Sequence, residues 1–308
     1  VEARIAELKK QLEAPDAPKN DEIGDEISGL EKEAAALKKK IYSELTPWQT
    51  VQVARHKDRP LFRDYIAGAF SEFIELHGDR CFGDDKGIIG GFAMIGSNRV
   101  VLIGHQKGKT LEQNIESNFG MANPDGYRKA LRLMKLAEKY RIPVVTFIDT
   151  PGAYPGADAE ARGQAEAIAK NLTEMAALET PIVVVITGEG GSGGALGIAV
   201  GDSILMLSNA VYSVISPEGC ASILWRDGTK APVAAEALKI TAPDLLQLGV
   251  IDEIISELPG GAHRNKEATI DAVKEAIVKH LKKLKKHNRH KWPDRRYDKF
   301  AQMGRLKK

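Results

Sequence analysis

Between residues 88 and 255, short apolar runs alternate with amphipathic stretches, and this alternation limits the fold more than any other feature of the chain. Runs at 88–95, 99–104, 142–148, 181–187, 203–207 and 211–215 read as strands, and the stretches 126–140, 158–178, 193–200, 217–225 and 231–240 as helices. Strands that are apolar at nearly every position need cover on both faces, and the intervening helices provide it. The pattern alone therefore indicates an α/β protein with a doubly wound parallel sheet. Pro143 and Pro181 each stand where a helix has ended and a buried strand begins.

The flanks have a different texture. Residues 1–14 and 22–45 carry narrow apolar stripes at helical spacing (Ile5, Leu8, Leu12; Ile23, Ile27, Leu30, Leu37, Ile41, Leu45) around the breaker 15–21. They form a helical hairpin whose seam faces either a partner or its own domain. A last helix is expected at 266–286, followed by a basic tail containing Trp292, Tyr297 and Phe300. Three regions follow: an N-terminal helical region (1–58), a central domain (59–265), and a C-terminal helix with its tail (266–308).

Composition excludes several classes. With 43% hydrophobic and 28% charged residues the chain is neither disordered nor fibrous. Its longest apolar runs fall far short of the ~18 residues of a membrane helix. Cys81 and Cys220 cannot supply a four-thiolate zinc site or a disulfide framework. The N-terminus has no apolar signal core, and a start at Val1 suggests that upstream residues were removed.

Three glycine-rich loops follow strands. The first ends Gly108-Lys109-Thr110. A phosphate-binding P-loop requires glycine five residues before Gly108, where Ile103 stands, so nucleotide binding is not expected. Lys107 and Lys109 then meet the phosphates of another ligand or form a solvated basic turn. The second loop, Asp149-Thr150-Pro151-Gly152-Ala153-Tyr154-Pro155-Gly156, makes a stiff turn with exposed amides. The third, Gly188-Glu189-Gly190-Gly191-Ser192-Gly193-Gly194, contains G-x-G-x-x-G. It lacks the acidic residue a dinucleotide site wants in the following strand. It reads better as a helix start whose bare amides can hold developing negative charge. Neither of the last two loops offers a Ser–His–Asp arrangement, and Glu189, Asp158 and Glu160 do not form an evident acid/base pair. Ser216 before Pro217 reads as a helix cap, and His105 as a satisfied strand-end histidine. His263 and Arg264 face a subunit interface, coenzyme phosphates or plain solvent.

The blocks FGMANPDGYRKALRLMKLAEKY (119–140), FIDTPGAYPG (147–156), GEGGSGGALGIAVGD (188–202), YSVISPEGCASILW (212–225) and PGGAHRN (259–265) resemble the α subunit of the carboxyltransferase of multi-subunit acetyl-CoA carboxylase, across about residues 20–300. The resemblance implies a crotonase-like β-β-α spiral of the ClpP/crotonase superfamily. It implies transfer of a carboxyl group from carboxybiotin, on a separate biotin carboxyl carrier protein, to acetyl-CoA, giving malonyl-CoA for fatty acid biosynthesis. It also implies an α2β2 assembly with a zinc-bearing β subunit, a biotin carboxylase in the holo-complex, no metal in this chain, and a place in the bacterial cytoplasm or the plastid stroma. Carried over residue by residue, the catalytic oxyanion donors are the N–H groups of Gly193 and Gly194. Gly152, Ala153 and Tyr154 line the same pocket, and Lys107 and Lys109 are candidate substrate contacts. The alternative is a stand-alone crotonase-like hydratase or isomerase, which needs a well-placed carboxylate pair.

The formal charge of +2 hides a split. Residues 281–308 hold 12 Lys and Arg against 2 Asp, leaving 32 basic and 40 acidic residues elsewhere. An acidic body with a basic arm suits an anionic CoA ester or an acidic subunit face better than nucleic acid or a membrane.

Overall fold

The structure is a computed structural model that describes residues 1–12 and 21–304. The expected breaker lies outside the described residues apart from Asp21, which opens the second helix, and so do tail residues 305–308. Among the described residues, eight strands form one sheet: β1 Ser71–Glu75, β2 Ile88–Ile95, β3 Asn98–His105, β4 Val144–Thr150, β5 Ile182–Gly191, β6 Ser203–Leu207, β7 Val211–Ser213 and β8 Glu253–Ile255. The first three are antiparallel neighbours; β3, β4, β5, β6 and β8 then run parallel in that order.

This order corrects the doubly wound expectation. A doubly wound sheet reverses direction at a switch point, whereas these strands advance one way only. The path matches the spiral implied by the resemblance. β7 leaves the main path and pairs with the far end of β5, Glu189 opposite Val211 and Gly191 opposite Ser213. Between the Ile148–Ile186 and Thr150–Gly190 pairs, Asp149 of β4 faces three residues of β5. β5 therefore bulges where its glycine-rich end begins.

The central strands are apolar because they are enclosed. Val144, Val145, Ile148 and Ile182 through Ile186 are fully buried. Helix Pro124–Tyr140 covers β2 and β3 and packs on helix Gln164–Ala177. A single helix expected over 158–178 is instead two, Ala157–Ala161 and Gln164–Ala177, parted at Gly163 with φ +85°. β5 also runs further than its apolar run suggested, to Gly191, so the third glycine loop belongs partly to the strand.

The flanks are tied down. Helices Glu2–Leu12 and Asp21–Ser43 pack on each other and bury Leu8, Ile27 and Ala34. The seam is thus closed within the hairpin, while Leu37 and Ile41 further along the stripe stay exposed. Helix Lys266–Leu284 gives Val273, Ile277 and Leu281 to the main core. The basic tail is not a loose arm through residue 302: helix Trp292–Gln302 buries Trp292 and Arg296. The Arg296 guanidinium donates to the carbonyls of Met175, Leu178 and Thr180 and to the Asp202 carboxylate at 2.8 Å. Burial pushes the Asp202 carboxyl up, and Arg296 works against that shift.

Candidate active site

β4 and β5 end side by side and each opens into a glycine turn. Thr150, the last residue of β4, fixes the first turn: its hydroxyl donates to the Gly152 carbonyl at 2.7 Å and accepts from the Gly152 N–H at 3.1 Å. The Tyr154 N–H donates to the Ala122 carbonyl at 3.1 Å. The Gln164 side-chain amide spans the Ala122 and Tyr154 carbonyls at 2.8 and 3.0 Å. Tyr154 is half-buried, with its ring folded against Gly156, where a β-carbon would come within 2.5 Å of it.

The second turn begins at Ser192, an exposed residue with φ +53° at the junction of β5 and the short helix Ser192–Leu196. The two turns touch backbone to backbone. A β-carbon on Gly191 would lie 2.1 Å from the Pro151 carbonyl oxygen, and one on Gly194 would lie 2.2 Å from the Gly152 carbonyl carbon. Glycine is required at both positions by this close approach. Gly193 differs: a β-carbon there meets only the end of Ile168, at 3.8 Å, and one on Gly152 meets nothing within 4 Å. Gly193 and Gly194 stand in the first turn of this helix. First-turn amides of a helix have no intrahelical acceptor, and amides so placed are suited to an anion; Gly193 is half-buried and Gly194 buried. The structure thus brings Gly152, Ala153, Tyr154, Gly193 and Gly194 together.

Lys107 and Lys109 do not join them as free cations. The Lys107 ammonium sits 2.6 Å from Asp149 and 3.9 Å from Glu189, and Lys109 sits 2.6 Å from Asp64. Both line a cleft of about 490 Å³ that excludes the two glycine turns. Arg63, His77, Lys86 and Lys129 in that cleft are likewise paired with carboxylates of the chain. The Gly108 and Lys109 amides are taken by the side chains of Asn114 and Gln113 at 3.0 and 2.9 Å, so this loop is no phosphate cradle. Lys109 is about half exposed and Lys107 largely buried.

Other expectations resolve as follows. Ser216 caps helix Pro217–Trp225, its hydroxyl accepting from the Gly219 N–H at 3.1 Å. Arg264 pairs with Glu2 at 3.0 Å, and His263 stacks on His56 with ring centroids 3.9 Å apart. Burial, and then His56, lowers the His263 pKa. His105 is not the satisfied histidine expected. It is 1% exposed, and neither ring nitrogen has a partner in hydrogen-bonding geometry, although the backbone of Phe147 and Gly194 lies near. Burial drives its pKa down to about 4, so the ring is neutral at pH 7.

Sequence reasoning gave no role to Asp149 and Arg55. Asp149 accepts from Lys107 and, at 3.0 Å, from the Glu189 N–H. Arg55 donates to Glu189 at 2.7 Å and also pairs with Glu218. The carboxylates of Asp149 and Glu189 are therefore held by cations, and no pair suited to a hydratase is assembled there. One signal was available: Asp149 is the lone charge at the end of an otherwise apolar strand. Among the described residues no cluster of His, Cys, Asp or Glu could hold a metal ion, and no helix is long and apolar enough to cross a membrane.

Comparison with known proteins gives the family and the fold. The family described as "Acetyl co-enzyme A carboxylase carboxyltransferase-like" matches residues 1–304. The acetyl-coenzyme A carboxylase carboxyl transferase subunit alpha of Geobacter metallireducens is 56% identical over 307 residues, 99% of this chain and 96% of that protein. That of Halalkalibacterium halodurans is 52% identical over 304 residues, 99% and 92% of the two chains. Among solved structures, transcarboxylase 12S with methylmalonyl-coenzyme A bound superposes with a TM-score of 0.55 at 20% identity, over 68% of this chain and 40% of that one. A Pseudomonas malonate decarboxylase hetero-tetramer in complex with coenzyme A gives 0.56 at 14% identity, over 71% and 89%. These two likenesses establish the crotonase-like carboxyltransferase fold. By family match and by near full-length identity, the chain belongs to the α subunits of acetyl-CoA carboxylase carboxyltransferase.

Proposed function

We propose that this α subunit supplies the carboxybiotin half of the active site, and that a zinc-bearing β subunit supplies the acetyl-CoA half. The observation that carries the reading is the pair of first-turn helix amides at Gly193 and Gly194, beside the open space in front of Gly152. As the carboxyl group leaves carboxybiotin, negative charge collects on the ureido oxygen, and fixed amide donors stabilise it without reorganising. The N–CO2 bond breaks, the ureido nitrogen takes a methyl proton from acetyl-CoA, and the enolate attacks CO2 to give malonyl-CoA. No side-chain base is needed, in keeping with the cation-bound state of Asp149 and Glu189. Gly152, Ala153 and Tyr154 form the wall that receives the bicyclic ring, and Lys109 is the more exposed lysine for the coenzyme. The carrier protein and a biotin carboxylase complete the assembly.

The test mixes the purified chain with the β subunit and follows malonyl-CoA decarboxylation with biocytin as acceptor. The chain alone is expected to be inactive and the mixture active. Gly193→Val, which adds two methyl groups to a β-carbon already 3.8 Å from Ile168, is expected to shift the turn and lower the rate about 10²-fold, the usual cost of a misplacement of about 1 Å. Full activity in that variant would remove Gly193 from the site.

A further inference from the structure

The bulge in β5 leaves backbone groups that the sheet ladder cannot satisfy, and named side chains take them. Asp149 alone faces Thr187, Gly188 and Glu189. The Thr187 carbonyl accepts from Arg59 at 2.7 Å, and the Glu189 N–H donates to the Asp149 carboxylate at 3.0 Å. Asp149 can reach that N–H because residue 188 is glycine; a β-carbon there would lie 2.5 Å from the carboxylate. The same carboxylate oxygen accepts from Lys107 at 2.6 Å. Lys107 arrives from beyond β3, and its side chain packs under Gly120, where a β-carbon would lie 2.9 Å from it.

Bulges next to active sites re-aim the chain that follows. Here the chain that follows on β5 is Gly190 to Gly194, and the chain that follows Asp149 on β4 is Thr150 to Tyr154. One carboxylate thus sits at the root of both glycine turns, pinned by one ammonium.

We propose that Lys107 and Asp149 form a positioning pair that sets the distance between the two glycine turns, so that Lys107 acts on carboxyl transfer through Asp149 and does not hold the coenzyme. This rests on the oxyanion assignment above and gives Lys107 a different task from the substrate contact expected from the sequence. Glu189, held in turn by Arg55, extends the arrangement to helix Pro47–Ala54.

The experiment uses the reconstituted complex with Lys107→Met, Lys107→Arg and Asp149→Asn, measuring kcat, KM for malonyl-CoA and for biocytin, and the thermal midpoint. A misplacement of about 1 Å costs on the order of 10²-fold in rate, so kcat is expected to fall about that much in Lys107→Met and Asp149→Asn. KM for malonyl-CoA should stay within about twofold, because uniform binding is untouched, and Lys107→Arg should recover most of the rate. A raised KM for malonyl-CoA with kcat unchanged would overturn the proposal in favour of coenzyme binding. So would unchanged kinetics in Lys107→Met, or a fall in thermal midpoint with unchanged kcat per folded molecule. Gly193→Val, run alongside, separates the two readings: if it loses activity and Lys107→Met does not, the oxyanion site stands and the positioning pair falls.

Discussion

Adding a single methyl group at Gly193 and at Gly194 should give opposite results, although the two residues are adjacent and share a helix. At Gly194 the new β-carbon would sit 2.2 Å from the Gly152 carbonyl carbon and 2.3 Å from the Ala153 nitrogen. Ordinary carbon contacts need about 3.5–4.0 Å, so the two turns must part by more than about 1 Å. Both neighbours are backbone atoms, which cannot rotate away as a side chain would. Overpacking of this kind costs about 1–3 kcal/mol of stability, and the displaced donors should cost about 10² or more in rate. At Gly193 the nearest atom is 3.8 Å away on Ile168, and alanine favours a helix over glycine by about 1 kcal/mol. Gly193→Ala should therefore keep its stability and most of its rate. The assay is urea unfolding of each chain together with malonyl-CoA decarboxylation by the reconstituted complex. If Gly194→Ala matched the wild type in both, or Gly193→Ala were the more damaged, the account of two turns in backbone contact would be wrong.

Two further outcomes concern stability. Arg296 is wholly buried against Asp202 and three carbonyls, so Arg296→Met should cost about 3–5 kcal/mol, the usual penalty for stranding a buried charge. A loss below about 1 kcal/mol in urea unfolding would show that the C-terminal helix contributes little. His105, whose pKa falls from 6.5 to about 4 on folding, stays neutral in the native state while the unfolded chain takes up a proton. Its contribution is therefore intact above pH 6.5 and lost as pH falls towards 4, by about 3 kcal/mol over the whole window. His105→Leu should flatten that part of the stability–pH curve, and an unchanged slope between pH 7 and 5 would disprove the assignment. Asp79, lowered to about 2 by Arg128 and three backbone N–H groups despite its burial, titrates below this window and does not confuse it.

The sequence made the central strands and the main helices legible, since burial on both faces writes itself as unbroken apolar runs such as 142–148 and 181–187. Strand order was not legible, because the apolar pattern of β3 to β8 is the same whether crossovers advance in one direction or reverse. Only the long blocks shared with a family pointed to the spiral. Short elements such as β8, with three residues, fall below any periodicity. At the candidate site, the two glycine turns could be found because glycine runs after strands are conspicuous. The contacts of Asp149 could not, because they depend on a bulge that opposes one residue of β4 to three of β5, and local spacing does not encode such a register shift. Lys107 and Lys109 read as substrate contacts or a solvated basic turn for the same reason: their partners Asp149 and Asp64 lie 42 and 45 residues away. The basic tail read as an arm because its charge count is high, whereas Arg296 is spent inside the protein.

The backbone-to-backbone seat of the two turns also bears on how such enzymes can diversify. Where Gly191 and Gly194 press on Pro151 and Gly152, any side chain collides with main chain, so this half of the site offers evolution almost no adjustable surface. On the function proposed above, that suits a ligand that never changes, such as the bicyclic ring of biotin. A change of substrate would then have to be written outside these two turns. Two main chains in direct contact leave a fixed seat, and any adjustment falls to the surfaces around it.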